Sequence, residues 1–168
     1  MNQQYAQQLM SIITRAKAHL EGLDSRDFDY KSAPKKWSKK EIVGHLIDSA
    51  YNNHQRFLRA SFQDNLVFQG YEQEQWVVRN NYQNRPKQEV IDTWFIVNQH
   101  LSHLIAGLPN ELLNQQTTEH NFHIIGMNRP EKGELSSLSY LIWDYIFHLE
   151  HHLGQLLPNY EKQLSPFK

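Results

Sequence analysis

The sequence predicts an all-α protein built as a four-helix bundle, and three observations carry that expectation. Four long stretches place apolar residues at helical spacing. No stretch alternates apolar and polar residues as a strand would. The helical stretches open or close at recognisable caps and stops. At 168 residues, one domain spanning residues 1–168 is expected, long enough to bury roughly two-thirds of its unfolded surface.

In the first helix Tyr5, Leu9, Ile12, Ala16 and Leu20 recur at steps of three and four, with Gly22 as a glycine stop. Residues 24–36 are polar, carry Pro34 and read as a connector. The second helix has the clearest start. Ser38 and Glu41 form a Ser-x-x-Glu capping box, flanked by Trp37 and Ile42 at the positions of a hydrophobic staple. It is expected to run to about Ala60 or Phe62, with Ile42, Leu46, Ala50 and Phe57 inward. Residues 64–85 fit either a short helix or an aromatic-rich loop. Pro86 suits a first helical turn, and Val90, Trp94, Val97, Leu101 and Leu104 then trace a third helix that stops at Gly107-Leu108-Pro109. Residues 110–134 form a long polar connection, either a lid or an elongated crossover. Residues 137–157 carry the fourth helix, with Leu138, Leu141, Ile142, Tyr145, Leu149, Leu153 and Leu156 inward and Pro158 as the stop.

Composition excludes several classes of function. The formal net charge is −1 without a block of like charge, so nothing marks a nucleic-acid or anionic-membrane surface. There is no cysteine, hence no disulfide, thiolate ligand or cysteine nucleophile. The first residues lack a signal-peptide layout and no apolar run approaches membrane-spanning length, so a cytoplasmic protein is expected. Ten histidines are many for this length.

Those histidines carry the functional expectation. His148 and His152 are four apart and therefore lie one turn above another on one helical face, the usual way for a helix to offer two imidazoles to one ion. His45, two turns inside the firmly capped second helix, is the best third ligand. Three neutral imidazoles would leave coordination positions open, the layout of a catalytic site. Imidazole ligation suits Zn, Ni, Fe or Cu. On the last helix Leu141, Tyr145, His148, His152 and Gln155 trace one stripe. On the second helix Glu41, His45, Ser49 (or Asp48) and Asn52 trace another. Glu41, Asp48 and Asp144 are the carboxylates best placed to orient an imidazole or handle a proton. Tyr145, Asn52 and Gln155 are candidates for the pocket wall. Neither His-Glu-x-x-His nor its inverted form occurs, which argues against a zinc protease. The alternative is that His148, His151 and His152 are solvated surface residues and His45 a hydrogen-bonded core residue. The other histidines offer weaker pairs: His120 and His123 lie in the long connection, His100 and His103 face solvent, and His54 and His19 have no evident partner.

Trp37-Ser38-x-x-Glu41-Ile42-x-Gly44-His45-Leu46-x-Asp48, paired with His148-x-x-x-His152-x-Gly154-Gln155, resembles the DinB-like (YfiT-like) superfamily, a group regarded as metalloenzymes. The resemblance covers nearly the whole chain. It implies an up-down-down-up four-helix bundle and a divalent metal held by His45, His148 and His152. It further implies transferase or isomerase chemistry with a low-molecular-weight thiol, whose pKa the metal lowers, and a homodimer. The arginine that often follows the last ligand in that group is Leu153 here.

The expectation is therefore a metal-dependent enzyme acting on a small-molecule substrate, with Zn, Ni or Fe and a low-molecular-weight thiol as cofactors. Glu41, Asp48 and Tyr145 are its catalytic candidates, and Asn52 and Gln155 its cofactor-binding candidates. Thiol transfer is preferred to hydrolysis through the resemblance alone. The competing class is a non-catalytic helical protein that binds metal or dimerises in a stress response.

Overall fold

A computed structural model describes residues 2–167. The four expected helices form as α1 (Asn2–Gly22), α3 (Lys39–Arg59), α5 (Lys87–Gly107) and α8 (Leu138–Leu156). Local chemistry sets their ends. Ser38 Oγ accepts from the Glu41 N–H, and the Glu41 carboxylate accepts from the Ser38 N–H, so the capping box closes as its pattern requires. Ser137 caps α8 by accepting from the Tyr140 N–H. Pro86 takes the cap position of α5 rather than its first turn.

The connections hold four shorter helices. The polar stretch 24–36 contains α2 (Ser25–Asp29), capped by the Asp24 carboxylate. Between α3 and α5 lie α4 (Gln73–Arg79) and a 3-10 turn (Tyr82–Asn84), which decides between the two forms left open for residues 64–85. The long connection after α5 holds α6 (Asn110–Asn114) and α7 (Phe122–Ile125). An isolated bridge between Leu66 and His120 ties the two long connections together, a second between Thr117 and Ser136 closes the α5–α8 connection on itself, and no longer strand forms among the described residues.

Contacts between named side chains give the helix directions. Asn2 at the start of α1 donates to the Ala106 and Leu108 carbonyls at the end of α5, while Lys17 pairs with Asp92 near the start of α5, so α1 and α5 are antiparallel. Lys40 at the start of α3 donates to the Arg85 carbonyl just ahead of α5, and the His54 and His100 rings stack further along, so α3 and α5 are parallel. His45 meets His152 while Phe57 meets Tyr145, so α3 and α8 are antiparallel. The bundle therefore runs up, down, down, up. Because α3 and α5 point the same way, residues 60–86 must travel back along the bundle, and α4 rests on α3 as they do so.

The core between the four helices is apolar and fully buried, with Leu9, Leu20, Leu46, Phe57, Trp94, Leu101, Ile142 and Leu149 among its members. Glu150 is also fully buried. Its carboxylate accepts from the Tyr160 hydroxyl and from the Gln163 and Leu164 N–H groups, which fastens the chain after α8 onto that helix. Among the described residues no helix is long and apolar enough to cross a membrane.

Candidate metal centre

α3 and α8 bring His45, His148 and His152 together. One ring nitrogen from each falls within 4.8 Å of the other two, and the Nε2 atoms of His45 and His148 stand 3.1 Å apart. Three donors at the usual distance from a tetrahedral zinc ion would be about 3.4 Å from one another. The side chains therefore need only about an ångström of adjustment to share an ion. No carboxylate joins the cluster among the described residues. In neutral imidazoles so close, lone pairs facing one another repel unless a proton or a cation lies between them. This donor set fits a divalent cation.

The surroundings favour the neutral ligand form. Burial pushes His45 down from 6.5 to about 4, with the neighbouring His152 adding to the effect. Burial also holds His148 well below its ordinary value, helped by His152, His45 and His151. His152 is lowered by burial too, against an opposing hydrogen bond to Gln155. In all three, burial therefore favours the neutral form that can ligate a metal.

Neighbouring groups fix the rings unequally. His152 Nδ1 lies 2.8 Å from Gln155 Oε1, which makes Nδ1 the protonated nitrogen and leaves Nε2 free to coordinate. The amide of Gln155 continues to His151 Nε2, at 3.1 Å. His45 packs against the Trp37 ring, with centroids 5.1 Å apart. The Nδ1 atoms of His45 and His148 are buried without a partner.

The cluster opens into a pocket of about 680 Å³. One wall is the α3 face carrying Ser49, Asn53 and Arg56, and another is the α8 face of Leu141 and Tyr145. The crossover from Gly70 to Gln75 and the loop from Ile124 to Met127 cover them. Asp144 holds that loop in place by accepting from the Met127 N–H at 2.9 Å, the Asn128 N–H at 2.7 Å and the Asn128 side chain at 2.9 Å. Gly126 permits the approach, since a Cβ there would come 3.2 Å from Asp144 Oδ2 and 2.8 Å from the Phe122 carbonyl oxygen.

The remaining candidates fall in different places. Glu41 is occupied at the helix start by the Ser38 N–H and the Lys31 ammonium, and it does not line the pocket. Asp48 points to the other side of α3, where Oδ1 accepts from the Tyr82 hydroxyl at 2.7 Å and from Asn80 at 2.8 Å. Its Oδ2 is buried without a partner and no hydrogen bond joins it to His45. Burial raises its pKa from 3.8 to about 6, against the two hydrogen bonds. Gly44 admits the ring of Tyr82 against α3, since a Cβ there would lie 2.2 Å from Tyr82 Cδ2. Tyr145 lines the pocket, but its hydroxyl donates to Asn98 in the core and burial lifts its pKa far above the ordinary value, so its ring forms the wall while its proton is engaged elsewhere. Asn52 turns back to the Asp48 carbonyl, and the next residue, Asn53, takes the place in the wall. Gln155 stands behind His152. Leu153 is buried in the core and offers no charge to the site.

A family model described as the DinB superfamily matches residues 8–156. The chain belongs to the DinB superfamily. Its fold is similar to that of YfiT from Bacillus subtilis, described as a probable metal-dependent hydrolase with an unusual four-helix bundle topology. The TM-score is 0.72 at 16% identity, over 92% of this chain and 83% of that chain. No curated protein matches the sequence. Helices, bundle topology and the three-histidine cluster thus agree with the expectation from the sequence.

Ser49 takes the place its stripe with His45 predicts, whereas Asn53 and Arg56 were missed, although their spacing from His45 places them within the same helical face. A cation on that face of α3 was the signal available. The stacking of His54 on His100, with centroids 4.8 Å apart, gives His54 a partner that its place in the chain did not suggest.

Proposed function

We propose that this protein is a divalent-metal-dependent enzyme that transfers a group to a low-molecular-weight thiol, with the ion held by His45, His148 and His152. The observation that carries the reading is the convergence of three buried or half-buried imidazoles on an open pocket, with no carboxylate among them. A cation bound there would supply Lewis acidity to a nucleophile beside it and lower that nucleophile's pKa. A thiol, with a pKa already near 8.5, needs no protein base to lose its proton under those conditions. Water is far more demanding and is commonly assisted by a neighbouring carboxylate. Asp48 faces away, and Asp144 is committed to the loop backbone.

The protein's own residues would position the reactants. Gln155 presents His152 through the correct nitrogen, Trp37 restricts His45, and the loop pinned by Asp144 lines the pocket toward its Arg56 end. In the transfer, the thiol proton passes to solvent, a bond forms between sulfur and an electrophilic carbon of the substrate, and the group on that carbon leaves with its electron pair. A cytoplasmic homodimer belongs to the same proposal.

The test is metal content by plasma mass spectrometry on untagged protein beside a His148→Ala/His152→Ala variant. Near-stoichiometric Zn, Ni or Fe in the parent and loss in the variant is the expected result. No metal in either, even after incubation with divalent ions, overturns it. The description of YfiT favours hydrolysis as the second reading. Cobalt-substituted protein separates the two. A sulfur-to-cobalt charge-transfer band on adding glutathione or cysteine supports thiol chemistry, and a spectrum unmoved by any thiol supports hydrolysis.

A further inference from the structure

Arg56 is 7% exposed and lines the same pocket as the three histidines, yet among the described residues no carboxylate is in contact with it. Of its five N–H donors, Nη1 reaches Asn53 Oδ1 at 3.3 Å and Nη2 reaches the Gln69 carbonyl at 3.2 Å, both neutral acceptors at the long end of the range. Its Nε is buried without any partner. It forms no salt bridge with the described residues. Asp144 shares the pocket, but its oxygens already accept three hydrogen bonds from the 127–128 loop. Asp144 acts on Arg56 through space without touching it, and a buried guanidinium with no charge in direct contact is costly and marks a candidate anion site.

Position gives that anion a place. Arg56 follows His45 by eleven residues, which returns it to nearly the same face of α3 about 16 Å further along the axis. Side chains on a helix lean toward its N-terminus, so the guanidinium reaches back toward the histidines. Ser49 and Asn53 fill the interval with polar groups that also line the pocket. We infer that Arg56 is the anion-binding end of the pocket, and that the substrate or thiol is an elongated molecule with a terminal carboxylate, its reacting end at the three-histidine cluster. The planar guanidinium fork suits a carboxylate held by two hydrogen bonds. An acid of only two or three carbons is too short to span both ends.

This inference rests on the metal reading for the far end of the molecule but not for the carboxylate end, and the experiment separates the two. The probes are 6-mercaptohexanoate and 6-mercaptohexanol, equal in length and different only at the terminus. They are titrated calorimetrically into zinc-loaded protein and into Arg56→Gln and Arg56→Lys variants. The parent is expected to bind the acid about ten- to a hundredfold more tightly than the alcohol. Arg56→Gln should remove that preference by weakening the acid far more than the alcohol, and Arg56→Lys should keep only part of it. A role confined to holding the Gln69 carbonyl would lower stability in both variants without touching the acid-to-alcohol ratio. Nitrogen-edited NMR of the Arg56 Nε–H in metal-free parent protein, titrated with hexanoate, gives a readout that needs neither metal nor a variant. A shift of that resonance with hexanoate and none with hexanol supports the anion site even if no metal is ever bound. Equal binding of acid and alcohol by the parent, together with an Nε–H signal unmoved by hexanoate, overturns it.

Discussion

Gly44→Ala decides between two effects of opposite sign. Helix propensity alone makes alanine better than glycine inside α3 by about 1 kcal/mol. In the structure, however, the new methyl would lie 2.2 Å from Tyr82 Cδ2 and 2.3 Å from Cγ, both inside a buried ring. Restoring ordinary contact needs roughly a further 1.2 Å, and the ring belongs to a tight 3-10 turn that cannot move freely. Overpacking of this kind costs about 1–3 kcal/mol. A displacement that large also breaks the 2.7 Å hydrogen bond from the Tyr82 hydroxyl to Asp48, leaving a buried carboxylate short of a donor. Losing it adds about 1.5–3 kcal/mol. The net expectation is a destabilisation of about 2–5 kcal/mol. Urea unfolding of the two proteins measures it, with the Tyr82→Ala background as control, since removing the ring removes the clash and should turn Gly44→Ala into a gain of up to about 1 kcal/mol. A neutral or stabilising Gly44→Ala in the parent background would refute the close approach of Tyr82 to α3.

Two further outcomes can be checked. In chelator-treated protein, stability should fall as pH drops below about 6.5, because His45 (about 4), His148 and His152 stay neutral in the fold while their unfolded counterparts take up protons. Each imidazole costs about 1.4 kcal/mol per pH unit over the interval in which it resists protonation. Asp48 works in the opposite sense between about 6 and 3.8, where the folded form holds a proton that the unfolded form has released. Asp48→Asn should therefore steepen the acid loss, and urea midpoints that do not change between pH 7 and 5 in either protein would contradict the burial of these groups. Gln155→Ala should weaken zinc affinity by about tenfold in competition with a chromogenic chelator, through loss of the hydrogen bond that fixes the His152 tautomer. An unchanged competition curve would remove Gln155 from the site.

Legibility in the sequence follows the range of the interaction. The capping box of α3 and the His148–His152 pair were visible because their partners lie three and four residues apart, where helix geometry alone dictates contact. His45 was visible because its distance from a firm helix start is also local. The pocket wall was not, because Asn52 and Asn53 differ by one helical step, and which of them faces the cavity depends on where Tyr82 packs against the far side of α3. Asp48 shows the same limit. It lies one turn from His45, as an orienting carboxylate should, but the Tyr82 hydroxyl and the Asn80 amide, brought in by the crossover, turn it away. Residues 60–86 lack strong periodicity, and their placement over α3 follows from the parallel course of α3 and α5, a property of the whole chain.

That parallel course also explains why a pocket exists. A bundle with only short turns would close its helices along their length and leave polar stripes facing a dry core. Here α3 and α5 point the same way, so 60–86 must pass along the outside, and it does so beside the α3–α8 seam where His45, His148 and His152 meet. The connection from α5 to α8 begins and ends at one end of the bundle, and the loop after α7 leans over the same seam under the hold of Asp144. Rigid helices therefore carry the groups that need fixed geometry, while two irregular segments supply most of the cover. Arg56 belongs to the rigid part. Its place on α3, in line with His45, means that distance from the histidines to the cation is set by helix geometry and not by loop conformation. Reshaping the cover would alter which molecules enter, whereas the length of an acid able to span both ends would stay fixed.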